Sequence, residues 1–395
     1  MSSRAVHVFL IAALMVGLLG SHLPAYGYRG LPWPSFMHDY ARSNLSQYVG
    51  TPTNSTLWHL GVKNITSVLV LGADNTIYFG SHGSLVALGS DGTTKFKINV
   101  GGMVDPPAID SDGTIYFENG NTTIFAVTSS GTVKWEFNSN GTVTMPATDI
   151  YNRIYFGNNT SLVSLNDDGR LLWKHKTHGL VSVPSVGPNG QIYVGDTDHK
   201  FYSVDSEGNL KWKFDTNGTT TTASISPRGT IYFCDSDNHL YALNPEGALK
   251  WSYQSTNMGI PPAIGPDGTL FLANGTGIVA INPDGTTKWV FNPTDYTIQS
   301  VSVDMAGTVY AGTVEDHLFA LNTNGSVKWE FKSQGSVEQP VIGSGGVIYF
   351  NSGDGSIYAL GQAVPEFPLG ASLVMTAVII FGISITRLKL WYRAQ

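Results

Sequence analysis

The sequence predicts an all-β protein, an eight-bladed β-propeller of four-stranded blades, and three observations support this. A phrase of the type LNPEGALKWSY (243–253) recurs along the chain, and its aromatic residue returns every 38 to 40 residues. Other strand-like patterns recur in step with it. Turns such as SDGT (111–114) separate them and place Gly where hairpins need a positive φ. Four short strands repeated at this period are typical of a propeller blade.

The strands of each unit can be aligned by their first or aromatic residue. Apolar residues lie on both faces of the inner strands, as expected when each small sheet is sandwiched between two neighbours, and a short strand such as PPAID (106–110) precedes each Ile-Tyr strand. The aromatic residues are Trp58, Phe96, Trp135, Trp173, Trp212, Trp251, Trp289 and Trp329. The Ile-Tyr type strands begin at Ile77, Ile115, Ile154, Ile192, Ile231, Leu270, Val309 and Ile348. The Leu-x-Ala-Leu type strands begin at Leu85, Ile124, Leu162, Phe201, Leu240, Ile278, Leu318 and Ile357.

The count of strands predicts how the ring closes. Eight Ile-Tyr strands and eight Leu-x-Ala-Leu strands are present, but the chain leaves the repeat after IYAL (357–360) without a further aromatic strand. The segment STLWHL (55–60), which carries Trp58, precedes the first unit. We therefore expect this N-terminal strand to complete the last blade, because such pairing removes the exposed edges of the sheet.

The Gly-x-x-x-Trp phrase resembles that of the pyrroloquinoline-quinone-like (PQQ-like) repeat propellers. The likeness covers about residues 31–362, and WPSFMHDYARSN (33–44) resembles the lead-in of such proteins. The resemblance implies eight blades with the aromatic residues packed between adjacent blades as a girdle. It also raises redox chemistry, because quinoprotein dehydrogenases of the family hold their cofactor beneath a vicinal disulfide and bind calcium through acidic and amide groups. This chain has one cysteine, so it cannot form an internal disulfide, and we predict no cofactor.

The ends of the chain predict its location. Residues 1–27 read as a signal peptide, with cleavage favoured over an uncleaved anchor, and residues 28–54 as a lead-in segment. The propeller follows at 55–362 and a linker at 363–368. The uncharged run at 369–386 predicts a transmembrane helix, and the basic tail at 387–395 should stay cytoplasmic. We therefore expect a single-pass protein of the cell membrane with an extracellular propeller.

The linker offers a second interpretation of the C-terminus. The sequence VPEFP (364–368), followed by an apolar run and basic residues, resembles the PEF-type sorting signal of archaeal surface proteins. That resemblance implies processing by an archaeosortase and attachment to a lipid. Plain membrane anchoring is favoured, and the processed form remains the alternative.

Charge and sequons bear on partners. A net charge of −7 without a long basic run argues against nucleic acid, because binding phosphates needs clustered cations. Ten Asn-x-Ser/Thr sequons suit an extracellular glycoprotein, and we expect a minority of them to carry sugar. They lie at Asn44, Asn54, Asn64, Asn121, Asn140, Asn158, Asn159, Asn217, Asn274 and Asn324.

The sequence shows no catalytic or metal-binding constellation. Cys234 stands in a column of small residues and is expected to be a packed, inert thiol. Histidines 199, 239 and 317 fall in hairpins of different blades, so we expect solvated turn residues rather than a shared metal site. The aspartates of GDTDHK (195–200) and CDSDNH (234–239) are expected to shape hairpins, and a calcium loop at Asp110 and Asp112 lacks further ligands.

A polar register near the axis is the remaining candidate site. It comprises Ser67, Asp105, Thr144, Ser182, Thr221, Ile260, Gln299 and Glu338, each placed just before an innermost strand. Within it, Asp105, Gln299 and Glu338 are the candidate ligand-facing residues for a small polar ligand, a sugar or a peptide. We expect a noncatalytic, monomeric binding or protein-interaction module with an extracellular protein, peptide or glycan as partner. The alternatives are a hydrated channel without a ligand, a quinone-dependent or other catalytic propeller and, third, the assembly-factor role that the resemblance to bacterial outer-membrane assembly propellers implies.

Overall fold

The computed structural model describes Ser35, Asp39 and residues 42–120, 122–254 and 260–362. The predicted signal peptide, transmembrane helix and basic tail lie outside these residues. Within the described ranges, no helix is long and apolar enough to cross a bilayer. The described residues form eight four-stranded antiparallel sheets, which confirms the predicted all-β propeller.

The first four blades follow one another along the chain after the N-terminal strand β1 (Thr56–Gly61). Each blade runs from the innermost to the outermost strand in chain order. Blade 1 contains β2 (Val70–Leu71), β3 (Ile77–Ser81), β4 (Ser84–Leu88) and β5 (Thr94–Asn99). Blade 2 contains β6 (Ala108–Ile109), β7 (Ile115–Glu118), β8 (Thr123–Val127) and β9 (Val133–Asn138), and blade 3 contains β10 (Ala147–Thr148), β11 (Ile154–Asn158), β12 (Ser161–Leu165) and β13 (Leu171–Lys176). Blade 4 contains β14 (Ser185–Val186), β15 (Ile192–Gly195), β16 (Lys200–Val204) and β17 (Leu210–Asp215).

The remaining blades follow the same order until the last. Blade 5 contains β18 (Thr220–Ile225), β19 (Ile231–Asp235), β20 (His239–Leu243) and β21 (Leu249–Gln254); blade 6 contains β22 (Ala263–Ile264), β23 (Leu270–Ala273), β24 (Ile278–Ile281) and β25 (Thr287–Phe291); blade 7 contains β26 (Ile298–Val303), β27 (Val309–Thr313), β28 (His317–Leu321) and β29 (Val327–Lys332); blade 8 contains β30 (Val341–Ile342), β31 (Ile348–Ser352) and β32 (Ser356–Leu360), with a short 3₁₀ turn at Ser344–Gly346.

The ring closes as the strand count predicts. Strand β1 pairs antiparallel with β32 and becomes the outer strand of blade 8. Trp58 lies opposite Ala359, and Leu60 lies opposite Ile357. One blade is therefore built from both ends of the repeat, so that separating the two ends would open the ring.

Burial within a blade changes from the inside to the outside. The inner strands are buried along most of their length, whereas the outer strands alternate between exposed and half-buried residues. The half-buried residues of an outer strand include the recurring aromatic residue. In blade 4, the ring centroid of Trp212 lies 5.9 Å from that of Tyr193. The aromatic side chain thus covers its own sheet before it reaches the next blade.

The aromatic girdle joins consecutive blades through a hydrogen bond and a glycine. Trp212 Nε1 donates to the carbonyl of Pro245 at 2.8 Å, and its ring covers Gly247 in the turn of blade 5. A Cβ at Gly247 would lie 2.6 Å from this ring, and the residue has a φ of +86°, so glycine is required twice over. Equivalent Trp-to-carbonyl bonds are made by Trp58, Trp135, Trp173, Trp251 and Trp289.

Trp329 departs from this arrangement. Its ring packs 5.9 Å from that of Tyr310, but its Nε1 has no hydrogen-bond partner among the described residues. The cause is topological: in blade 8 the third strand ends at Leu360 and the outer strand arrives from the N-terminus, so no covalent Gly turn faces Trp329. Across this interface Asn54 Nδ2 donates to the carbonyl of Glu330 at 2.7 Å instead.

The described part of the lead-in crosses the ring near its axis. Arg42 Nε donates to the carbonyl of Pro184 at 2.8 Å, in blade 4, and Ser46 Oγ donates to that of Ile342 at 3.4 Å, in blade 8. Between them, Leu45 bridges in parallel to Val303 of blade 7. Five residues span at most about 18 Å, so they reach these blades only by passing close to the axis. We call residues 42–51 the axial segment.

Candidate functional site

The four hydroxyl groups of the predicted polar register have a structural role. Each accepts a hydrogen bond from the backbone N–H of a small residue on the second strand of its own blade. In blade 4, Gly195 N donates to Ser182 Oγ at 2.9 Å. The small residue is needed because the neighbouring backbone is close: a Cβ at Gly80 would lie 2.1 Å from the carbonyl oxygen of Val104. The hydroxyls that act in this way belong to Ser67, Thr144, Ser182 and Thr221.

Two members of the register lie within a strand rather than before one. Thr221 belongs to β18 and Gln299 to β26, because the inner strands of blades 5 and 7 gain an extra pair at Thr220 and Ile298 after a bulge. Gln299 Nε2 donates to the carbonyl of Val337 at 2.8 Å and so joins blades 7 and 8. The amide nitrogen of this candidate ligand-facing residue therefore already has a structural partner.

Two blades replace the hydroxyl and glycine pair by larger polar groups. Blade 2 has Asp105 in the register and Glu118 in the column of small residues, and blade 8 has Glu338 and Asn351 in the same two places. Glu118 and Asn351 were not among the sequence-predicted site residues. The signal that reveals them is the interruption of the column formed by Gly80, Gly157, Gly195, Cys234, Ala273 and Gly312.

Three of these four side chains, those of Asp105, Glu338 and Asn351, line neighbouring cavities. The axial pocket, of about 330 Å³, is lined by them together with Thr66, Ser67 and apolar side chains. The seam groove, of about 590 Å³, runs along residues 61–65 and 351–355, where blades 1 and 8 meet. A smaller floor cavity of about 120 Å³ contains Gln299, and Asn44 of the axial segment contributes to its wall. Glu338 lines all three, which places it at their junction.

Two acidic groups of this region, Glu118 and Glu338, have raised pKa values. Burial, with the hydrogen bond and negative charge of Asp105, raises the pKa of Glu118 to about 8. At neutral pH Glu118 therefore holds a proton and can donate it in that hydrogen bond. Burial also raises the pKa of Glu338. The carboxyl groups of Glu118 and Glu338 are thus partly desolvated by the fold.

Two polar groups at the cavity walls have no hydrogen-bond partner among the described residues. They are Oδ1 of Asn351, a residue that lines both the axial pocket and the seam groove, and Oγ of Ser300, a residue that lines the floor cavity. Asn351 is 6% exposed and Ser300 is 9% exposed. Buried polar groups in proteins are nearly always paired, so each of these positions calls for an explanation.

The side chains considered for catalysis or metal binding have other roles. Cys234 is fully buried in the packed column, and burial raises the pKa of its thiol. Asp110 accepts hydrogen bonds from the backbone of Asp112 and Thr114 and from the hydroxyl of Tyr116, so it shapes a hairpin. Within the described ranges, no three His, Cys, Asp or Glu side chains are grouped so as to hold a metal ion.

His317 differs from the expectation of a solvated histidine. It is buried, with its Nε2 atom 3.0 Å from Glu330 Oε1, and its ring packs against Tyr296. The residue at the equivalent position of blade 5, His239, is only half-buried, and His199 lies one place earlier in its own hairpin with a φ of +62°. The difference arises because Tyr296 and Glu330 cover the hairpin of blade 7.

A comparison with protein families identifies the repeat. A sequence profile described as outer membrane protein assembly factor BamB matches residues 45–179, 158–290 and 274–363. These overlapping matches cover most of the chain. The chain belongs to this family of PQQ-like repeat propellers. No match was found among curated proteins.

Solved structures share the fold of this PQQ-like propeller at low sequence identity. Quinohemoprotein alcohol dehydrogenase from Comamonas testosteroni has a TM-score of 0.70 at 12% identity, over 84% of this chain and 81% of that chain. BamB from Moraxella catarrhalis has a TM-score of 0.63 at 13% identity, over 78% of this chain and 99% of that chain. A europium-containing methanol dehydrogenase has a TM-score of 0.67 at 12% identity, over 81% of this chain and 89% of that chain. Enzymes and an assembly factor thus share this architecture, so function must be argued from the site.

Proposed function

We propose that this protein is a cell-surface, membrane-anchored PQQ-like propeller that acts as a noncatalytic binding or protein-interaction module. Its ligand site is the axial pocket together with the seam groove. The observation that supports this most directly is the contrast between a structural hydroxyl ring in other blades and the Asp105, Glu338 and Asn351 side chains at this pocket. The partner is an extracellular protein, peptide or glycan, and a single propeller binds it as a monomer.

The location rests on the sequence. The uncharged run at 369–386 and the basic residues after it support a single membrane pass with the propeller outside. The PEF motif supports processing of the same tail as the alternative. Sequons support glycosylation at exposed sites, and among the described sequon residues Asn44 and Asn158 are buried in the fold and unsuited to it. Intact mass of the protein from its native membrane reports signal removal, tail processing and sugar together.

The residues at the axis do not fit the quinone cofactor of the dehydrogenases. The resemblance implies a vicinal disulfide above the cofactor and a calcium ion beside it. The chain has one cysteine, Cys234, which is buried in the wall of the propeller. The Asp105 and Glu118 carboxyl groups are hydrogen-bonded to each other, and among the described residues no three His, Cys, Asp or Glu side chains are grouped so as to hold a metal ion. We therefore assign no step to a quinone or a metal.

A catalytic propeller is the second candidate because of this same carboxyl pair. A protonated carboxyl group hydrogen-bonded to a second carboxyl group is an arrangement that enzymes use for acid and base chemistry. Adding pyrroloquinoline quinone and calcium to the purified protein tests the quinone version of this candidate. Cofactor-dependent absorbance with alcohol- or sugar-driven dye reduction would favour an oxidoreductase over a binding module.

The binding proposal is tested by blocking the pocket. Met145→Trp places a larger side chain in the wall of the axial pocket, and Met103→Trp makes the same change at an exposed position that does not line it. Wild-type protein and both variants are screened for binding on glycan and peptide arrays. We expect the wild type and Met103→Trp to bind the same ligand and Met145→Trp to bind at least about tenfold more weakly. Equal binding by both variants would show that the ligand site lies elsewhere.

A further inference from the structure

We propose that the axial pocket takes the ammonium group of an aliphatic amine, most readily a lysine side chain on an extended peptide that lies in the seam groove. This inference rests on the proposed function and names the chemical class of its ligand. A free polyamine carries the same group on the same kind of stem, and the experiment below separates the two sources.

The charged and polar groups of the pocket are mostly acceptors. Asp105 and Glu338 bring carboxyl groups from blades 2 and 8, and Asn351 brings an amide side chain that is 6% exposed and whose oxygen has no partner among the described residues. Among the described residues that line the axial pocket, none is basic. An ammonium group has three donors and no acceptor, so it complements this set.

Thr66 and Ser67 also line the pocket, and their hydroxyls donate to the backbone carbonyls of Val104 and Val68. Much of the remaining wall is apolar. It is formed in large part by Ile65, Val68, Pro106 and Met145. A methylene stem can pack against such side chains while its charged end meets carboxylates, as lysine side chains commonly do. A hydrated metal ion would leave this surface uncovered, and an anion would be repelled by the two acidic residues.

The groove indicates that the amine belongs to a longer chain. The seam groove meets the axial pocket at Ile65, Glu338 and Asn351, which line both. It continues outward between residues 61–64 and 352–355, and its volume of about 590 Å³ exceeds that of the pocket. Its lining includes both Lys63 and Asp354, so it does not favour one charge along its length. An extended peptide can therefore lie in the groove and direct one lysine to the axis.

A neutral ligand fits this site less well. Placing an uncharged sugar against Asp105 and Glu338 would remove water from two acidic groups without supplying a compensating charge. An ammonium group supplies that charge and also donates hydrogen bonds to the carboxyl groups of Asp105 and Glu338. Binding should consequently weaken as salt is added, because exposed parts of the ion pair are screened.

The experiment uses the full-length protein and isothermal titration calorimetry. The probes are a short lysine-containing peptide with neutral neighbours, the same peptide with an acetylated lysine, spermidine and a neutral oligosaccharide. The variants are Glu338→Gln in the site, Met145→Trp as the block, and Glu136→Gln on an exposed outer strand as the matched control. Thermal unfolding of each variant verifies that it is folded.

We expect the lysine peptide to bind the wild type and Glu136→Gln alike. Acetylation of the lysine or Glu338→Gln should each weaken binding at least about tenfold, because each removes a charged hydrogen bond. Tighter binding of the peptide than of spermidine would assign the groove to a peptide chain. Tighter binding of spermidine would assign the site to free amines and retain the ammonium proposal.

Two outcomes would overturn the proposal, and they differ in what else they affect. If the oligosaccharide binds, Met145→Trp abolishes that binding and acetylation of the peptide has no effect, the amine inference is wrong while the axial binding site stands. If Met145→Trp changes the binding of no probe and of no array ligand, both the inference and the proposed site are wrong.

Discussion

The two ends of the central channel are built from the same inner strands but differ in how their polar groups are used. At the end occupied by the axial segment, polar groups are paired: Ile264 N donates to the carbonyl of Ser43, and Ser224 Oγ donates to that of Arg42. At the other end, the walls of the axial pocket contain acidic residues and Asn351, and the floor cavity lined by Ser300 lies between that pocket and the axial segment. We call these the closed end and the open end.

Strand β26 shows the difference within a single element. Ser302 Oγ donates to the carbonyl of Pro340 at 2.7 Å, and Val303 is bonded to the axial segment. Two residues earlier on the same strand, Ser300 lines the floor cavity with its hydroxyl unpaired. Unpaired polar groups cost stability, so Ser300 and Asn351, which line these cavities, favour a region shaped for a ligand, while the closed end serves stability.

The largest effect is expected from removing the central side chain of the closed end. Arg42 is 1% exposed, and its guanidinium also lies 3.5 Å from the carbonyl of Pro146. Burial lowers the pKa of Arg42 to about 10, so the group stays charged at neutral pH. Arg42→Ala should lower the free energy of unfolding by about 3–5 kcal/mol, because it leaves a cavity and buried carbonyls without donors. Chemical denaturation measures this loss.

The matched control for that change is Arg170→Ala, which removes an exposed arginine from a turn. It should change the free energy of unfolding by no more than about 0.5 kcal/mol. Similar denaturation midpoints for Arg42→Ala and Arg170→Ala would show that Arg42 does not stabilise the closed end. The proposed difference between the two ends would then be wrong.

The next effect concerns pH and the open end. The pKa of Glu118 is raised from 4.5 to about 8 in the folded protein. The folded state therefore holds one more proton than the unfolded state between these values, and the contribution of Glu118 is complete below about pH 4.5 and lost as pH rises through about 8. The free energy of unfolding should fall across this window, by up to about 1.4 kcal/mol for each pH unit.

Glu118→Gln should flatten this dependence, since the amide cannot ionise. Urea unfolding at pH 5 and pH 8 measures the change for the wild type and the variant. An exposed carboxyl group on an outer strand gives the control, and Glu136→Gln should retain the wild-type slope. An unchanged slope in Glu118→Gln would show that the carboxyl pair does not store a proton.

The smallest effect is a comparison within strand β26. Ser302→Ala should cost about 1 kcal/mol, because it removes a buried hydrogen bond to the carbonyl of Pro340. Ser300→Ala should be neutral within about 0.5 kcal/mol or slightly stabilising, because its hydroxyl has no partner to lose. Each variant loses one hydroxyl group relative to the wild type, so their losses of stability on thermal unfolding can be compared directly. Equal losses would contradict the assignment of distinct roles to the two ends.

Much of the architecture could be predicted because it repeats. The eight-fold recurrence of the Ile-Tyr strands set the number of blades, and the missing aromatic strand after Leu360 required Trp58 to fill its place. The unusual position of Trp329 follows from the same chain break, but it becomes visible only when the partner of each tryptophan is known. A repeat predicts the contacts that all blades share, but it does not predict the contact that Trp329 loses because no Gly turn follows it in blade 8.

The candidate site was predicted less completely. The register identified Asp105 and Glu338, which the fold brings to one pocket although more than half of the chain separates them in sequence. It missed Glu118 and Asn351, which depart from the column of small residues. Departures from a pattern carry the specific chemistry here, because the small residues of the column serve the packing of backbone against backbone.

By itself, the sequence determined the period, the number of blades and the strand that closes the ring, because each depends on local patterns and hydrogen-bond pairing along short segments. Only the tertiary structure decided that residues 42–51 occupy one end of the channel and that acidic side chains of blades 2 and 8 share the other. The physical reason is that both features depend on contacts across the ring, between residues whose separation along the chain leaves no periodic trace.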